Sequence, residues 1–265
     1  MNLADPSVLK PFLQRHGLDA RKGFGQHFLA SRPVVDAIAG CFTGFGGVVE
    51  IGPGPGVLTG PISESVREFI ALEVDERLQP VLAESAPRAK ILFKNALEED
   101  LAPLLRDLPT PRGVVSNLPY YITGPLLGKI TDARAEWSKA VLMMQKEVGV
   151  RILAKPGDRD RGGLSVMIQA RFDVRRVALV PPGSFYPPPK VDSVVLELIP
   201  KDVEYPDELF AFVHKGFTQP RKTLANNLQA AGYPKDLVDR AGLNPSVRPH
   251  ELELEAWSRL FALKG

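Results

Sequence analysis

The chain has 265 residues, enough to bury a full core in one large domain or in a domain with a smaller appendage. A hydrophobic content of 44% with 24% charged residues excludes an intrinsically disordered chain. The formal net charge of +2 does not by itself indicate a nucleic-acid binder, and the single cysteine, Cys41, excludes an internal disulfide. The apolar runs are too short to span a membrane and the N-terminus has no signal-peptide pattern, so we expect a cytoplasmic protein.

The predicted elements begin with a helix that follows a short polar arm, and Ser31 is its expected N-cap. Short apolar, β-branched runs then alternate with segments of helical character, which predicts a parallel sheet covered on both faces. The strand candidates are 47–51, 68–74, 90–94, 113–117 and 140–146. Two later runs, 171–180 and 190–199, are typical of a closing antiparallel pair.

The strand pattern stops at Pro200, and the rest of the chain consists of short helical segments. We therefore place a domain boundary near residue 200. The prediction is an α/β domain over residues 1–200 and a smaller helical domain over residues 201–265.

A glycine-rich turn follows the first strand candidate in "VVEIGPGPGVLT". Gly52, Gly54 and Gly56 allow a ligand to approach the backbone closely, at the sheet edge where α/β proteins bind ligands. Their G-x-G-x-G spacing differs from the G-x-G-x-x-G that binds a pyrophosphate, and no Gly-Lys-Ser/Thr of a P-loop follows. A purely structural turn is the alternative interpretation.

An acidic residue, Glu73, ends the next strand candidate, 21 residues after Gly52. A carboxylate in this place can accept hydrogen bonds from ribose hydroxyls. The alternative is a surface acid beside a helix that Asp75 would cap. Together with the glycine turn, Glu73 indicates a nucleoside-bearing cofactor without a pyrophosphate, which favours S-adenosylmethionine over NAD.

The stretch "SNLPYYIT" follows the strand candidate at 113–117. The side-chain carbonyl of Asn117 and a backbone carbonyl held in place by Pro119 can accept both hydrogens of an aromatic amino group. Tyr120 then offers a ring on which the base can stack after it has left its helix or loop. Asn and Pro are also ordinary turn residues, and tyrosines often line cores, so a structural interpretation remains open.

"NLPY" matches the signature of N6-adenine methyltransferases, and nearly the whole chain resembles the bacterial ribosomal RNA small-subunit adenine dimethyltransferases, the KsgA/RsmA family. Several motifs carry the resemblance in order: "GFGQHFL", "EIGPGPGVLT", "LEVDERL", "KNALEEDL", "SNLPYYIT", "MMQKEVGVRI", "GGLSVMIQA", "FYPPPKVDS" and "RKTLANNL". Any one of them alone is a weaker signal than their shared order.

The resemblance implies a Rossmann-like class I S-adenosylmethionine-dependent methyltransferase domain with a smaller C-terminal α-helical domain that engages ribosomal RNA. The implied reaction is methylation of N6 on two adjacent adenines of small-subunit RNA, giving N6,N6-dimethyladenosine during ribosome biogenesis. The implied target-adenine residues are Asn117, Tyr120 and Phe185, with Phe185 on the second face of the base. The implied cofactor residues are Gln26, His27, Leu29, Gly52, Gly54, Gly56, Glu73, Asn95 and Asn117.

Two residues depart from the family pattern. His27 stands where the family usually has Asn, and an imidazole still donates one hydrogen bond; a surface loop residue is the alternative. Asn95 stands where the family usually has Asp, so a charge-assisted hydrogen bond to the cofactor's adenine becomes a neutral one, roughly half as strong. Both departures bear on cofactor affinity and neither touches Asn117.

Basic residues cluster in two places, between 146 and 176 and in "KGFTQPRK". Such clusters can follow phosphates, although a solvated surface is an equal alternative. The candidate RNA contacts are Arg151, Lys155, Arg159, Arg161, Lys190, Arg221 and Lys222. The four histidines are scattered, so we expect no metal site.

Several alternatives stay open at this point. A related enzyme could methylate adenine in large-subunit RNA or in DNA. A protein of another class would act as an assembly checkpoint, by occupying the immature small subunit. An NAD-dependent enzyme is a third alternative, and the glycine spacing argues against it. No self-complementary apolar surface is readable in the sequence, so we expect a monomer.

Overall fold

The computed structural model describes residues 2–18 and 27–264. The chain divides into two compact units, an α/β unit of Met1–Lys146 and Arg175–Pro200 and a helical unit of Glu147–Val174 and Lys201–Gly265. None of the helices within the described ranges has the length and apolar character needed to span a bilayer.

The strands are β1 (Phe28–Leu29), β2 (Gly47–Ile51), β3 (Glu68–Glu73), β4 (Lys90–Phe93), β5 (Arg112–Asn117), β6 (Lys139–Gln145), β7 (Phe172–Val180), β8 (Phe185–Tyr186) and β9 (Ser193–Pro200). Strands β2 to β6 begin and end within one residue of the five predicted parallel-sheet candidates. The sequence did not predict the short antiparallel pair that β1 and β8 form. Two residues per strand give no periodicity to detect.

The helices are α1 (Pro6–Arg15), α2 (Arg32–Gly40), α3 (Thr59–Ser65), α4 (Gln79–Ser85), α5 (Leu101–Arg106), α6 (Thr123–Asp132), α7 (Lys146–Leu153), α8 (Gly163–Arg171), α9 (Asp207–Gly216), α10 (Leu224–Ala230), α11 (Leu237–Arg240) and α12 (Leu254–Ala262). Ser31 precedes α2 as predicted, but its side chain makes no capping hydrogen bond. The prediction of a polar arm before α2 was wrong in part, because that segment contains helix α1, which buries Leu9, Phe12 and Leu13 at helical spacing.

A seven-stranded sheet forms the centre of the α/β unit, in the order β4-β3-β2-β5-β6-β9-β7. The first five strands in this order run parallel, and β9 pairs with β6 in the antiparallel direction. All five residues of β2 are buried, which fits a sheet covered on both faces. The chain moves outward from β2 to β3 and β4, then returns to place β5 on the other side of β2. The carboxyl ends of β2 and β5 therefore flank a topological switch point, where open α/β sheets bind ligands.

The helical unit has its own core of buried apolar side chains around Phe212 and Trp257. Phe212 makes edge-to-face contacts with Tyr233, Trp257 and Phe261. This unit also includes residues 147–174, which the sequence analysis placed in the first domain. The physical reason is that Val166 of α8 packs into this core, so the segment joins the helices that follow Pro200.

A single glycine should be essential to the packing of this helical core. A Cβ added to Gly216 would overlap the Trp257 ring and press on Leu224. We expect Gly216→Ala to destabilise the helical unit by about 1–3 kcal/mol, because overpacking a buried site displaces rigid side chains. Urea unfolding followed by tryptophan fluorescence measures this.

Gly128→Ala is the matched control for that substitution. Gly128 lies within α6, and a Cβ added there meets nothing within 4 Å. This variant should be stabilised by about 0.5–1 kcal/mol, since alanine is the better helix former. Equal unfolding midpoints for the two variants would contradict the packing argument.

Candidate active site

A cavity of about 520 Å³ opens at the carboxyl ends of β2, β3 and β5. It brings together most of the residues that the sequence analysis nominated for the cofactor and the target base. The predicted residues in its lining are His27, Leu29, Gly52, Gly54, Glu73, Asn95, Asn117 and Tyr120.

The glycine-rich turn forms the floor of the cavity beyond β2. Gly52 has a φ of +71° and Gly54 a φ of +55°, a left-handed backbone that favours glycine at both positions. A Cβ on Gly52 would meet no atom within 4 Å, so the backbone at this point faces open space. Gly56 differs from the prediction, because it lies outside the cavity lining and packs against Ser85 and Leu82.

Glu73 ends β3 with its carboxylate buried against the turn. Its Oε1 accepts from the backbone N–H groups of Val74 at 2.8 Å and Asp75 at 2.9 Å, while Oε2 accepts from Gly54 N at 3.2 Å. A carboxylate has about four acceptor positions, so one is left for a ligand hydroxyl. Burial raises the pKa of Glu73 above its usual range, and the three N–H donors partly oppose that rise.

Glu50 is a second buried acid beneath the turn, and the sequence analysis did not nominate it. Only 1% of it is exposed, and its Oε2 accepts a 2.6 Å hydrogen bond from the hydroxyl of Thr59. Burial raises its pKa to about 8, and the nearby Glu73 adds to the rise. The available signal was a lone acid inside the apolar run "VVEI". Glu50 also lines the cavity, so the cavity floor holds two carboxyl groups.

The amide of Asn117 is oriented by a segment far away in sequence. Its Nδ2 donates to the backbone carbonyl of His27 at 3.2 Å. Because the nitrogen is used in this way, the amide oxygen is left as the acceptor. The next residue, Leu118, is fixed by a 2.9 Å hydrogen bond from its N–H to Met143 O.

The Tyr120 ring is held at both its edge and its face. Its hydroxyl lies 2.7 Å from Oγ of the fully buried Ser193, and burial raises the pKa of that phenol. The ring stacks with the His27 imidazole at a centroid distance of 5.9 Å and an interplanar angle of 27°. Nδ1 of His27 in turn lies 2.8 Å from Pro187 O. His27 therefore lines the cavity and packs against Tyr120, which is not the environment of a surface-loop residue.

Asn95 lines the cavity but also shapes its own turn. Its Oδ1 accepts from Leu97 N at 3.1 Å, and its Nδ2 donates to Glu98 at 2.7 Å. The amide oxygen keeps one lone pair for a ligand.

Of the residues nominated for the cofactor or the target base that the structure describes, two are not in the cavity lining. Phe185 is only 4% exposed; it pairs with Leu29 across the β1–β8 ladder and belongs to the core of the α/β unit. Gly56 packs as described above. Gln26 lies outside the described residues.

The predicted RNA contacts are exposed with one exception. Arg161 is only 5% exposed, and its guanidinium donates to Ala154 O and to the Gln169 side chain. Burial also lowers its pKa, so this prediction was wrong and Arg161 is a structural residue. The exposed candidates are Arg151, Lys155, Arg159, Lys190, Arg221 and Lys222.

Among residues 2–18 and 27–264, no group of three or more His, Cys, Asp or Glu side chains is arranged to hold a metal ion.

The fold and the position of the cavity define a class I methyltransferase. The structure is similar to a crystal structure of a dimethyladenosine transferase from Plasmodium falciparum, with a TM-score of 0.74 and 26% identity over 89% of this chain and 96% of that one. It shares its fold with the 23S rRNA methyltransferase ErmE, with a TM-score of 0.67 and 24% identity over 89% and 99% of the two chains.

Sequence comparison gives the particular family. The family model for "Ribosomal RNA adenine dimethylase" matches residues 17–264. A relative from Geobacter sulfurreducens named "Ribosomal RNA small subunit methyltransferase A" is 41% identical over 92% of this chain and 95% of its own. A relative of the same name from Streptococcus pneumoniae is 39% identical over 100% and 99% of the two chains. The chain belongs to the ribosomal RNA adenine dimethylase family, which confirms the predicted fold class and resemblance.

The buried Glu50 gives the stability of the protein a pH dependence. The unfolded state ionises this carboxyl near 4.5, whereas the folded state keeps it protonated to about 8. The stabilisation is therefore fully present below pH 4.5 and is lost as the pH rises toward 8. Glu50→Gln keeps an acceptor for Thr59 but has no carboxyl group to ionise. Between pH 4.5 and about 8 its free energy of unfolding should therefore decrease less than that of the wild type, and we expect the difference to be a few times ~1.4 kcal/mol.

Urea unfolding at a series of pH values measures this difference. Glu64→Gln is the control, since Glu64 is exposed on α3 and does not line the cavity. Parallel pH profiles for wild type and Glu50→Gln would contradict the assignment of a protonated Glu50.

Proposed function

We propose that this protein transfers methyl groups from S-adenosylmethionine to N6 of two adjacent adenines in small-subunit ribosomal RNA, giving N6,N6-dimethyladenosine during ribosome biogenesis in the cytoplasm. The observation that carries the proposal is one cavity lined both by a ribose-type carboxylate, Glu73, and by an oriented amide, Asn117. The fold alone would leave the target open, because this fold supports methylation of many substrates.

The lining of the cavity offers polar groups that suit S-adenosylmethionine. The Gly52 backbone leaves open space, Glu73 has one acceptor position free for a ribose hydroxyl, and Asn95 has one for an adenine amino group. His27 and Leu29 complete the lining from the N-terminal side. When bound, this cofactor supplies a methyl group activated by the positive charge on sulfur.

The target adenine would be held in a socket at the end of β5, formed by the Asn117 side chain, the Leu118 carbonyl and the Tyr120 ring. Asn117 Oδ1 and the Leu118 carbonyl accept the two hydrogens of the amino group, and the Tyr120 ring stacks on the base. Accepting both hydrogens favours a pyramidal nitrogen whose lone pair is free to attack. These hydrogen bonds strengthen as the nitrogen becomes cationic, so they stabilise the transition state more than the ground state.

The same two acceptors account for a reaction that stops at two methyl groups. A monomethylated amino group keeps one hydrogen and one hydrogen bond to the socket. A dimethylated group has none, so both acceptors lose their partner and the product is held less tightly. Phe185 could form the second face of the base only after leaving the core position in which it is 4% exposed.

The exposed cations are proposed as the RNA contacts. In the helical unit these are Arg151, Lys155, Arg159, Arg221 and Lys222, and in the α/β unit Lys190. Removing one of these cations should leave one phosphate fewer neutralised. The slope of the logarithm of the RNA-binding constant against the logarithm of the salt concentration should then decrease in magnitude by about one.

The central test is removal of the Asn117 amide. Asn117→Ala should lower kcat for methyl transfer to unmethylated small subunits by about 10²–10³-fold, the cost of losing one preorganised partner of the reacting group. Labelled S-adenosylmethionine and mass spectrometry of the digested nucleosides measure the product. Large subunits and duplex DNA serve as parallel substrates.

Asn117→Asp is the matched variant for this test. It keeps an acceptor oxygen but sets a second oxygen against the His27 carbonyl, so its activity should lie between those of wild type and Asn117→Ala. Near-wild-type transfer by Asn117→Ala with cofactor binding intact would refute the socket. Transfer to large subunits or DNA instead would replace the proposed substrate.

A further inference from the structure

An exposed aromatic ring stands at the mouth of the cavity beside the proposed socket. The side chain of Tyr121 is 67% exposed and contributes to the cavity lining. Among the described residues it is the only Phe, Trp or Tyr side chain in the exposed class. Within those residues its hydroxyl makes no hydrogen bond and its ring no aromatic contact. Burial and packing therefore do not explain its position.

The backbone that carries Tyr121 is well fixed. Tyr120–Ile122 forms one turn of 3-10 helix, and the Ile122 N–H donates to Pro119 O at 3.1 Å. The hydroxyl of Thr123 donates to the same carbonyl at 3.2 Å, which ties the turn to the start of α6. The Cα–Cβ bond of Tyr121 therefore starts from a fixed turn, so no backbone has to be ordered when a ligand binds.

The two neighbouring tyrosines have different surroundings. Tyr120 is anchored inside the cavity by Ser193 and His27, whereas Tyr121 presents its ring to solvent at the rim. A base that enters the socket leaves the neighbouring nucleotide unstacked on that side. An exposed aromatic face is the group on which such a nucleotide can stack, whatever its base.

We propose that Tyr121 is a second base-stacking site, which binds the nucleotide next to the adenine held by Asn117 and Tyr120. This inference rests on the proposed function. Two adjacent adenines must enter one socket in turn, so the flanking nucleotide changes between the two rounds. A stacking surface tolerates that change, whereas a site that hydrogen-bonds one base edge would not.

The test is a double-mutant cycle between protein and RNA. Small subunits are assembled with ribosomal RNA whose nucleotide beside the target adenine is intact or abasic. Methyl transfer from labelled S-adenosylmethionine is then measured for wild type and Tyr121→Ala. Either change alone should lower kcat/KM about tenfold, the value of one lost stack, and the two together should lower it little further.

Two more variants separate stacking from bulk and from the hydroxyl. Tyr121→Phe keeps the ring, so the abasic site should lower its kcat/KM as much as it lowers that of the wild type. Tyr121→Leu keeps only the bulk, so it should behave like Tyr121→Ala. Leu179→Ala is the control for loss of an exposed apolar side chain, since Leu179 is 49% exposed on β7 and lies outside the cavity lining.

The outcomes are distinguishable. An undiminished abasic penalty in Tyr121→Ala, or unchanged kcat/KM on intact subunits, would overturn the second stacking site and leave the proposed function standing. Weaker S-adenosylmethionine binding by Tyr121→Ala with no change in the abasic penalty would make the residue a cofactor contact. Absence of transfer by the wild type would refute the proposed function and this inference with it.

Discussion

Parallel pairing sets Ile51 opposite Leu72 on one side and Ser116 on the other. The next residue of each strand or turn is Gly52, Glu73 and Asn117, so a backbone turn, a carboxylate and an amide arrive at one edge of the sheet. Because the sheet is covered on both faces, a slip of one residue would exchange the side chains that pack against its two sides, and the close packing on both sides fixes the register. Every proposed contact with cofactor or base depends on this alignment.

Segments distant in sequence complete what the strands begin. The His27 carbonyl orients Asn117 from 90 residues away, and Ser193 anchors Tyr120 from 73 residues away. Strand β1 and its partner β8 hold the His27 segment and Pro187 near the mouth of the cavity. The residues proposed to hold the target base therefore lie on β5 and its following turn, but their orientation is set by the first and last parts of the α/β unit.

The cavity floor has an uncommon charge arrangement. Burial raises the pKa of both Glu50 and Glu73, and the nearby Glu73 raises the pKa of Glu50 further. Of the cations in the lining, Arg77 pairs with Asp75 and Lys94 with Glu99. With Glu50 protonated, Glu73 is the acid of the floor whose ionised form favours a cationic ligand, such as the proposed sulfonium cofactor.

Residue patterns were enough to predict the alternation of strands and helices, the glycine turn, Glu73 at a strand end and the order of motifs that placed the chain in its family. These features are local, so spacing and residue type suffice to read them. Tertiary structure alone decided that residues 147–174 join the helical unit, that Arg161 and Phe185 are buried, and that Glu50 and Tyr121 line the cavity. Burial depends on which distant segments pack against a side chain, and a local pattern carries no information on that. The sequence therefore predicted the class of reaction, whereas the tertiary structure determined which side chains line the cavity.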